Sequence, residues 1–522
     1  MNTTDARGPD FTAGHTSGKF FIRTFGCQMN VADSERMAAL LSESGMQAAQ
    51  APEEADVILL NGCTVREKAV HKALSTLGQY HKMSKAKEGE EPKRKPLIGI
   101  GGCVGQLEQG NLFRSAPYLD FVFGTDTIDH LPEIIHRVRH GERHLVFAEF
   151  DKTRDYTTET KVLGNRAQAF VNIMKGCDKF CTYCVVPFTR GREKSRTIAE
   201  VVNDVSRLVA QGVREVTLLG QNVNSFGKGN ENTAGLEPRE LHNPIGKVGP
   251  RAGEENFPQL LRALDSDPRC APLRRIRFTS SHPLDFSDEL IDCYAPPEKG
   301  GVARLAHHLH LPVQSGSNHV LQKMGRHHQI ETYIAQMDRL REICPEIGLS
   351  TDLIAGFPTE TEEDFAETMQ LLDRMQFDNI YAFAYSPRPG TRAAKLPDDV
   401  PDAVKNERLN RMLNHEMTIA EKRYASRIGK TLSLLVEGEA KNKKMMRGLA
   451  STEGRVWTGR TECNRVVNFL HDSPRSLIGR FVEVKISAAT SLSLQGELVE
   501  HDALHAEATV EYSAGLNSEI VG

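Results

Sequence analysis

Residues 166 to 192 read RAQAFVNIMKGCDKFCTYCVVPFTRGR. The run AFVNIMKG is short and apolar, as a buried parallel strand requires. It runs straight into Cys177-x-x-x-Cys181-x-x-Cys184. A strand that delivers its chemistry at its carboxyl end belongs to an α/β sheet or barrel, where active sites gather on that edge. Working outward, EVTLLG, RRIRFTS, HHLHLPV, GLSTDLIAG and NIYAFAYS are five more such runs before about residue 410. Amphipathic stretches such as TIAEVVNDVSRLVAQG and EEDFAETMQLLDRMQ separate them. Six units predict a partial (β/α) barrel over 166–410 rather than a complete eightfold one. A Gly- and Pro-bearing stretch, 228–256, reads as a surface insertion.

Upstream, KFFIRTFG, DVILLNG, LIGIGG and LDFVFG alternate with helical patterns over 19–142 and predict an open, mostly parallel α/β sheet. Residues 1–18 read as a disordered lead-in and 143–165 as a polar linker. Downstream, 411–427 reads as a linker helix. TLSLLVEGE, GRVWTGRT, VVNFL and RFVEVKISAAT predict a small antiparallel β-barrel over 428–500. Residues 501–522 read as a flexible tail.

With 39% hydrophobic and 26% charged residues among 522, the composition is that of a globular chain of several domains. No apolar run is long enough for a membrane span, and the N-terminus lacks a secretory leader, so the chain is expected in the cytoplasm with no membrane partner. In that reducing compartment ten cysteines read as metal or redox ligands rather than disulfides. The net charge of −4 disfavours a nucleic-acid partner, but the charge is uneven. Residues 429–498 carry eleven Lys/Arg against seven Asp/Glu, and 175–196 carry six against two. Patches, not totals, attract phosphates.

Three thiolates as close as Cys177, Cys181 and Cys184 can ligate three irons of a 4Fe-4S cube. The fourth iron is then open to the amino and carboxylate groups of S-adenosylmethionine (SAM), whose sulfonium an electron can cleave to a 5′-deoxyadenosyl radical. The competing reading is structural zinc, which usually takes a fourth Cys or His at regular spacing. Cys27, Cys63 and Cys103 are far apart in sequence, yet each follows a strand run and each is preceded by glycine. At the shared edge of a parallel sheet their sulfurs could converge on a second cluster; otherwise they are small buried cysteines of the ordinary kind. Cys270, Cys293, Cys344 and Cys463 share no spacing and read as packing residues.

The strand-end residues Gly220, Gln221 and Asn222, Ser280 and Ser281, Gln314, Ile354, Gly356 and Glu360 are candidate SAM contacts, although Gly and Ser after a strand are commonly turn residues. His307, His308 and His310 read as alternating along a strand rather than as ligands. The basic run Arg190, Arg192, Lys194 and Arg196 could hold substrate phosphates or form a solvated face. Lys441, Lys443, Lys444, Arg447, Arg455, Arg460 and Arg465, with Trp457 and Phe469, have the composition of a nucleic-acid platform, or of simple solubility charge.

TFGCQMNVADSE, NGCTVREKA, GCDKFCTYCVVPFTRGREKSR and LLGQNVNSFG resemble the methylthiotransferases, a radical SAM family, and within it the MiaB branch, over about residues 19–498. The insertion at 228–256 and Val185, where the family usually has Ile, depart from the pattern. The resemblance implies an N-terminal methylthiotransferase domain, a radical SAM core and a TRAM RNA-binding domain. It implies two 4Fe-4S clusters, on Cys27, Cys63 and Cys103 and on Cys177, Cys181 and Cys184, with two SAM per turnover. It implies a monomer that adds a methylthio group to C2 of N6-isopentenyladenosine next to the anticodon of tRNA, gripping the anticodon arm and taking electrons from flavodoxin or ferredoxin. Sister branches act on threonylcarbamoyladenosine or on an aspartate of ribosomal protein S12. An alternative of another class is a non-catalytic iron–sulfur or zinc RNA-binding protein.

Overall fold

A computed structural model of the chain describes residues 17–64, 67–83, 95–150, 158–162, 166–227, 255–440, 454–472, 475–499 and 518–520. The insertion read at 228–256 lies outside the described residues except for its last two positions, as do most of the lead-in and the lysines between 441 and 444. The chain divides into two compact units, one of residues 1–152 with 188–190 and 516–522, the other of 153–187 with 191–515.

In the first unit β1 (Lys19–Gly26), β2 (Gln47–Ala48), β3 (Val57–Gly62), β4 (Leu97–Gly101), β5 (Phe121–Phe123) and β6 (Leu145–Phe147) form a parallel sheet in the order β2-β1-β3-β4-β5-β6. Helices α1 (Gln28–Glu43), α2 (Glu67–Met83), α3 (Gly102–Glu108), α4 (Leu112–Ser115) and α5 (Leu131–Arg139) connect the strands. Every residue of β3 is buried, which is why VILLNG is apolar almost throughout instead of alternating. Glycine alternates with Ile in β4 because a Cβ at Gly99 or Gly101 would run into the rings of Phe121 and Phe123. Two stretches differ from the sequence reading. Leu145–Phe147, inside the stretch read as a polar linker, is β6, which a run of three residues was too short to announce. Ser518–Ile520, inside the stretch read as a flexible tail, pairs in parallel with the end of β1.

The second unit opens with β7 (Gln168–Asn172) and a short antiparallel hairpin of β8 (Met174–Lys175) and β9 (Lys194–Ser195), with α6 (Val186–Thr189) inside its long loop. Then follow α7 (Ile198–Ala210), β10 (Glu215–Leu219), α8 (Phe257–Ser266), β11 (Arg275–Phe278), α9 (Asp288–Asp292), β12 (His308–His310), α10 (Asn318–Lys323), α11 (Ile330–Ile343), β13 (Gly348–Ala355), α12 (Glu362–Met375) and β14 (Asn379–Ala384). Helix starts follow local chemistry: Thr197 caps α7 and Thr361 caps α12, each in a reciprocal box with the acid three residues on. The strands form two parallel three-stranded sheets, β11-β10-β7 and β12-β13-β14. Among the described residues an isolated bridge, Ile276 to Leu305, is what spans from β11 toward β12, and the two sheets stay separate, so the expected partial barrel is open.

Helix α13 (Asp402–Ala425) leads to a closed barrel of β15 (Thr431–Glu439), β16 (Arg455–Thr461), β17 (Val466–His471), β18 (Phe481–Ala489) and β19 (Leu494–Leu498), ordered β15-β16-β17-β19-β18. All its pairings are antiparallel except β17 with β19. Met412 and Ile419 of α13 join the core of the parallel sheets, and Ala420 and Tyr424 join the core of the closed barrel. Buried ion pairs tie the same two parts together. Arg465 and Arg423 share Asp378, and Arg275 and Arg277 bond Glu215 and the carbonyls of Arg460, Thr461 and Glu462. Burial alone would raise the Glu215 carboxyl, but Arg277 and Arg275 hold it below the usual range. These contacts lie at the start of β10, β11 and β14, away from the carboxyl ends of the strands.

Candidate active site

In the first unit, register brings the three spread cysteines together. Phe25 of β1 stands opposite Gly62 of β3, and Gly62 is bridged to Gly102 beyond β4. Cys27, Cys63 and Cys103 therefore leave the same edge of three adjacent strands, and the Cys63 N–H donates to Phe25 O at 2.8 Å. Cys27 is exposed and starts α1; Cys63 and Cys103 are each 6% exposed. Gly102 has φ +75°, and a Cβ there would strike Asn61, so the turn into Cys103 needs glycine on both counts. Beneath the cysteines lies a buried amide network that the sequence reading did not single out. Asn30 Nδ2 donates to Asn61 Oδ1 (3.1 Å), Asn61 Nδ2 donates to Asn30 O (2.8 Å) and Ser34 Oγ (2.9 Å), and the Cys27 thiol points to Asn30 Oδ1 (3.5 Å). The one signal for it was an asparagine closing an otherwise apolar strand.

In the second unit, Cys177, Cys181 and Cys184 lie on the loop closed by the β8–β9 hairpin. The Cys177 N–H donates to Gly191 O (3.2 Å), and Arg192 bonds Asp178 (2.6 and 3.2 Å), which lock the two ends of the loop. Gln221 accepts from the Gly176 N–H. Asn222 donates to Asp285 (2.7 Å), which also pairs with Lys179 (2.6 Å). Two N–H donors face the sulfurs: Arg326 Nη1 toward Cys181 Sγ (3.6 Å) and the Val186 N–H toward Cys184 Sγ (3.4 Å). Burial pushes the Cys177 thiol well up, with Glu193 adding, and pushes Cys184 up to about 12. Burial likewise raises Cys103, against the pull of Arg190. A metal that binds these thiols must displace their protons. Glu193, bonded to Ser225 Oγ (2.6 Å), is pushed up to about 8, chiefly by burial.

The residues expected to touch SAM fall into two groups. Gly220, Gln221, Asn222 and Ser280 stand together after β10 and β11, where the Val223 N–H donates to Ser280 O (2.9 Å). Gln314 and Ile354 meet across β12 and β13, with the Ile354 N–H donating to Gln314 O (3.0 Å). Gly356 sits apart: its N–H donates to Glu360 (2.7 Å), and a Cβ there would meet Lys405. Ile354 packs beside Val320, Met324, Phe357 and Tyr183. The side chains of Gln221 and Asn222 thus brace the cysteine loop. His308 and His310 both reach Ser350 Oγ (3.2 and 3.0 Å), as neighbours along a strand do, whereas His307 approaches Glu462.

Two expectations about charge need correction. Arg190, Arg192 and Arg196 are each held by a carboxylate, Asp33, Asp178 and Asp204, and Arg190 and Arg196 are buried, so these three are internal ties and not a phosphate-binding face. In the closed barrel Trp457 and Phe469 are core residues, 1% and 0% exposed, and offer no stacking surface. Arg465 is equally buried, while Arg455 and Arg460 pair with Glu439 and Glu437.

Each triad offers three thiolates, the set an iron–sulfur cube can take with one iron left open. None of the ten cysteines is in a disulfide. Among the described residues no three Cys, His, Asp or Glu side chains converge closely enough to hold one metal ion. A cube takes thiolates that stand wider apart, and it favours N–H donors at the sulfurs, as at Cys181 and Cys184. A polar cofactor also has atoms to meet. Asn222 Oδ1, Ser281 Oγ, Arg326 Nε and His328 Nε2 are buried without a hydrogen-bond partner. Asn222 and Ser281 lie just beyond the carboxyl ends of β10 and β11.

Residues 19–124 match the family described as uncharacterized protein family UPF0004, 171–372 match the radical SAM superfamily and 425–499 match the TRAM domain. Among curated proteins, the tRNA-2-methylthio-N(6)-dimethylallyladenosine synthase of Bdellovibrio bacteriovorus is 41% identical over 94% of this chain and 97% of its own length. The proteins of the same name from Hahella chejuensis and Delftia acidovorans are 41% and 42% identical, each over 92% of this chain and 98% and 99% of their own. A solved radical SAM methyltransferase, TsrM of Kitasatospora setae, aligns with TM-score 0.48 and 14% identity over 73% of this chain and 77% of its own. Among the described residues no helix is long and apolar enough to cross a membrane. Membership carries with it the use of SAM and of iron–sulfur chemistry, and the chain belongs to the MiaB-type tRNA methylthiotransferases of the radical SAM superfamily.

Proposed function

We propose that the chain adds a methylthio group to C2 of N6-isopentenyladenosine next to the anticodon of tRNA, using two 4Fe-4S clusters, one on each cysteine triad, and two SAM per turnover. The observation that carries this reading is the in-register Gly-Cys edge of β1, β3 and β4, in a chain that also holds the CxxxCxxC loop. A radical enzyme that only cleaves SAM needs the loop alone; a second triad built this deliberately calls for a second task. An aromatic C–H is strong and not acidic, so no general base on this chain could open it. When bound, a cube with SAM on the loop supplies a carbon radical able to take that hydrogen, and a cube on the second triad supplies the sulfur.

The chain's own residues do the rest. Gln221, Asn222, Asp285 and Lys179 hold the cysteine loop against the strand ends, and the burial of Cys181 limits water at the site. The partners are the tRNA anticodon arm and a low-potential reductant such as flavodoxin or ferredoxin. Mass spectrometry of nucleosides from cells lacking the protein tests the substrate. Loss of 2-methylthio-N6-isopentenyladenosine, with its unmethylthiolated precursor accumulating, is the expected result. An unchanged methylthio nucleoside would overturn it and redirect the search to the sister substrates.

A further inference from the structure

The loop that carries Cys177, Cys181 and Cys184 continues into a segment, Phe188–Arg190, that groups with the first unit. Thr189 is 1% exposed, and its carbonyl accepts from Thr125 Oγ1 at 2.7 Å. Arg190 is 6% exposed and its guanidinium bonds Asp33 Oδ2 at 2.6 Å. Asp33 is itself buried on α1, the helix that Cys27 begins. The same guanidinium lies within electrostatic range of the Cys103 and Cys27 side chains. A buried Arg with a single carboxylate partner would complete an ion pair and need nothing more. This one also stands beside a sulfur at the triad's edge.

We propose that Arg190 is a positioning residue for the Cys27, Cys63 and Cys103 centre: it stands beside Cys103, offsets the negative charge of the metal-bound thiolates, and is aimed by Asp33. The proposal rests on the reading of that triad as a cluster site. Thiolate-bound clusters are anionic, and hydrogen bonds and nearby charge set how readily they accept an electron. Arg190 and Asp33 should therefore pull in opposite directions. Loss of the cation makes one-electron reduction harder, and loss of the carboxylate makes it easier.

The test uses the full chain with Cys177, Cys181 and Cys184 replaced by Ala, so that only the second triad can hold iron. It is reconstituted anoxically with iron and sulfide and titrated with dithionite while the cluster is followed by electron paramagnetic resonance. Into this background go Arg190→Gln, Arg190→Lys, Asp33→Asn and the double variant Arg190→Gln/Asp33→Asn. At the parent's midpoint potential, Arg190→Gln should lower the ratio of reduced to oxidised cluster about tenfold, which is ~59 mV for a one-electron couple. Asp33→Asn should raise that ratio, Arg190→Lys should fall between parent and Arg190→Gln, and the double variant should return toward the parent. Equal midpoints in all variants that bind iron would overturn the proposal. If Arg190→Gln fails to load iron, Arg190→Lys and Asp33→Asn still carry the opposite-sign comparison, and no shift in either overturns it. A parent that binds no iron would instead defeat the two-cluster reading itself, with Arg190 not at issue.

Discussion

On the proposed two-cluster reading Cys177 and Cys63 hold different clusters, and single substitutions separate them. Cys63→Ala should leave SAM cleavage intact and abolish methylthio transfer, while Cys177→Ala should abolish both. Counting 5′-deoxyadenosine and methylthiolated tRNA in one assay checks this, and full methylthiolation by Cys63→Ala would refute the division of labour. Gln221 offers a subtler case. Its carboxamide satisfies the Gly176 N–H at the root of the cysteine loop. Gln221→Ala leaves that donor without a partner, at a cost of about 1–3 kcal/mol. The expected result is weaker iron retention by the loop cluster, seen as faster bleaching by a chelator, with the second triad unaffected. At this scale the placement of the cysteines was legible, because close spacing on one loop and a glycine before each of the spread three are local signals. Arg190 was not. Its carboxylate partner, Asp33, is 157 positions away, and in the sequence an arginine in a basic run looks like a phosphate ligand whether or not a buried acid already claims it.

Among elements, the parallel strands declared themselves because both of their faces are covered and their residues are apolar almost without break. β6 and the two-residue hairpin strands β8 and β9 carry too few residues to show any period. Helix α13 was visible as a charged helix, but its task was not. It contributes to two cores, and it buries Glu416 near Asp378. Burial pushes the Glu416 carboxyl up to about 7; Asp378 adds to this, and a bond from the Ile380 backbone opposes it. The folded-state value lies above the unfolded one of about 4.3. The contribution is thus fully present below the unfolded value and is lost as pH rises from there through about 7, above which the ionised acid destabilises the fold. Glu416→Gln should raise the thermal midpoint by several degrees at pH 8 and by far less at pH 5. Scanning calorimetry at both values checks the sign; equal gains at both would remove the titration argument.

In the whole molecule, the closed barrel is not a tethered accessory to the parallel sheets of its unit. Asp378, at the start of β14, bonds Arg423 of α13 and Arg465 of the barrel, and it also accepts from the Leu349 N–H (2.9 Å). Arg465 is 1% exposed, so an unpaired guanidinium there has no water to turn to. Removing one partner of a buried pair costs about 3–5 kcal/mol, more than such a pair contributes over an apolar substitute. Asp378→Ala should therefore loosen the barrel's seat while leaving the cysteine loop, at the opposite ends of the strands, untouched. Two measurements separate these effects. Limited proteolysis should cut faster between residues 425 and 431, where α13 gives way to β15. SAM cleavage without RNA should persist at its original rate while methylthiolation of tRNA falls, the outcome expected where the barrel has the RNA-gripping role that the family resemblance implies. Loss of SAM cleavage along with tRNA modification would instead mean that the seat supports the catalytic half itself. Arg465→Met distinguishes a lost tie from a lost charge: it removes the buried cation together with its demand for Asp378, and it should disturb proteolysis less than Asp378→Ala does.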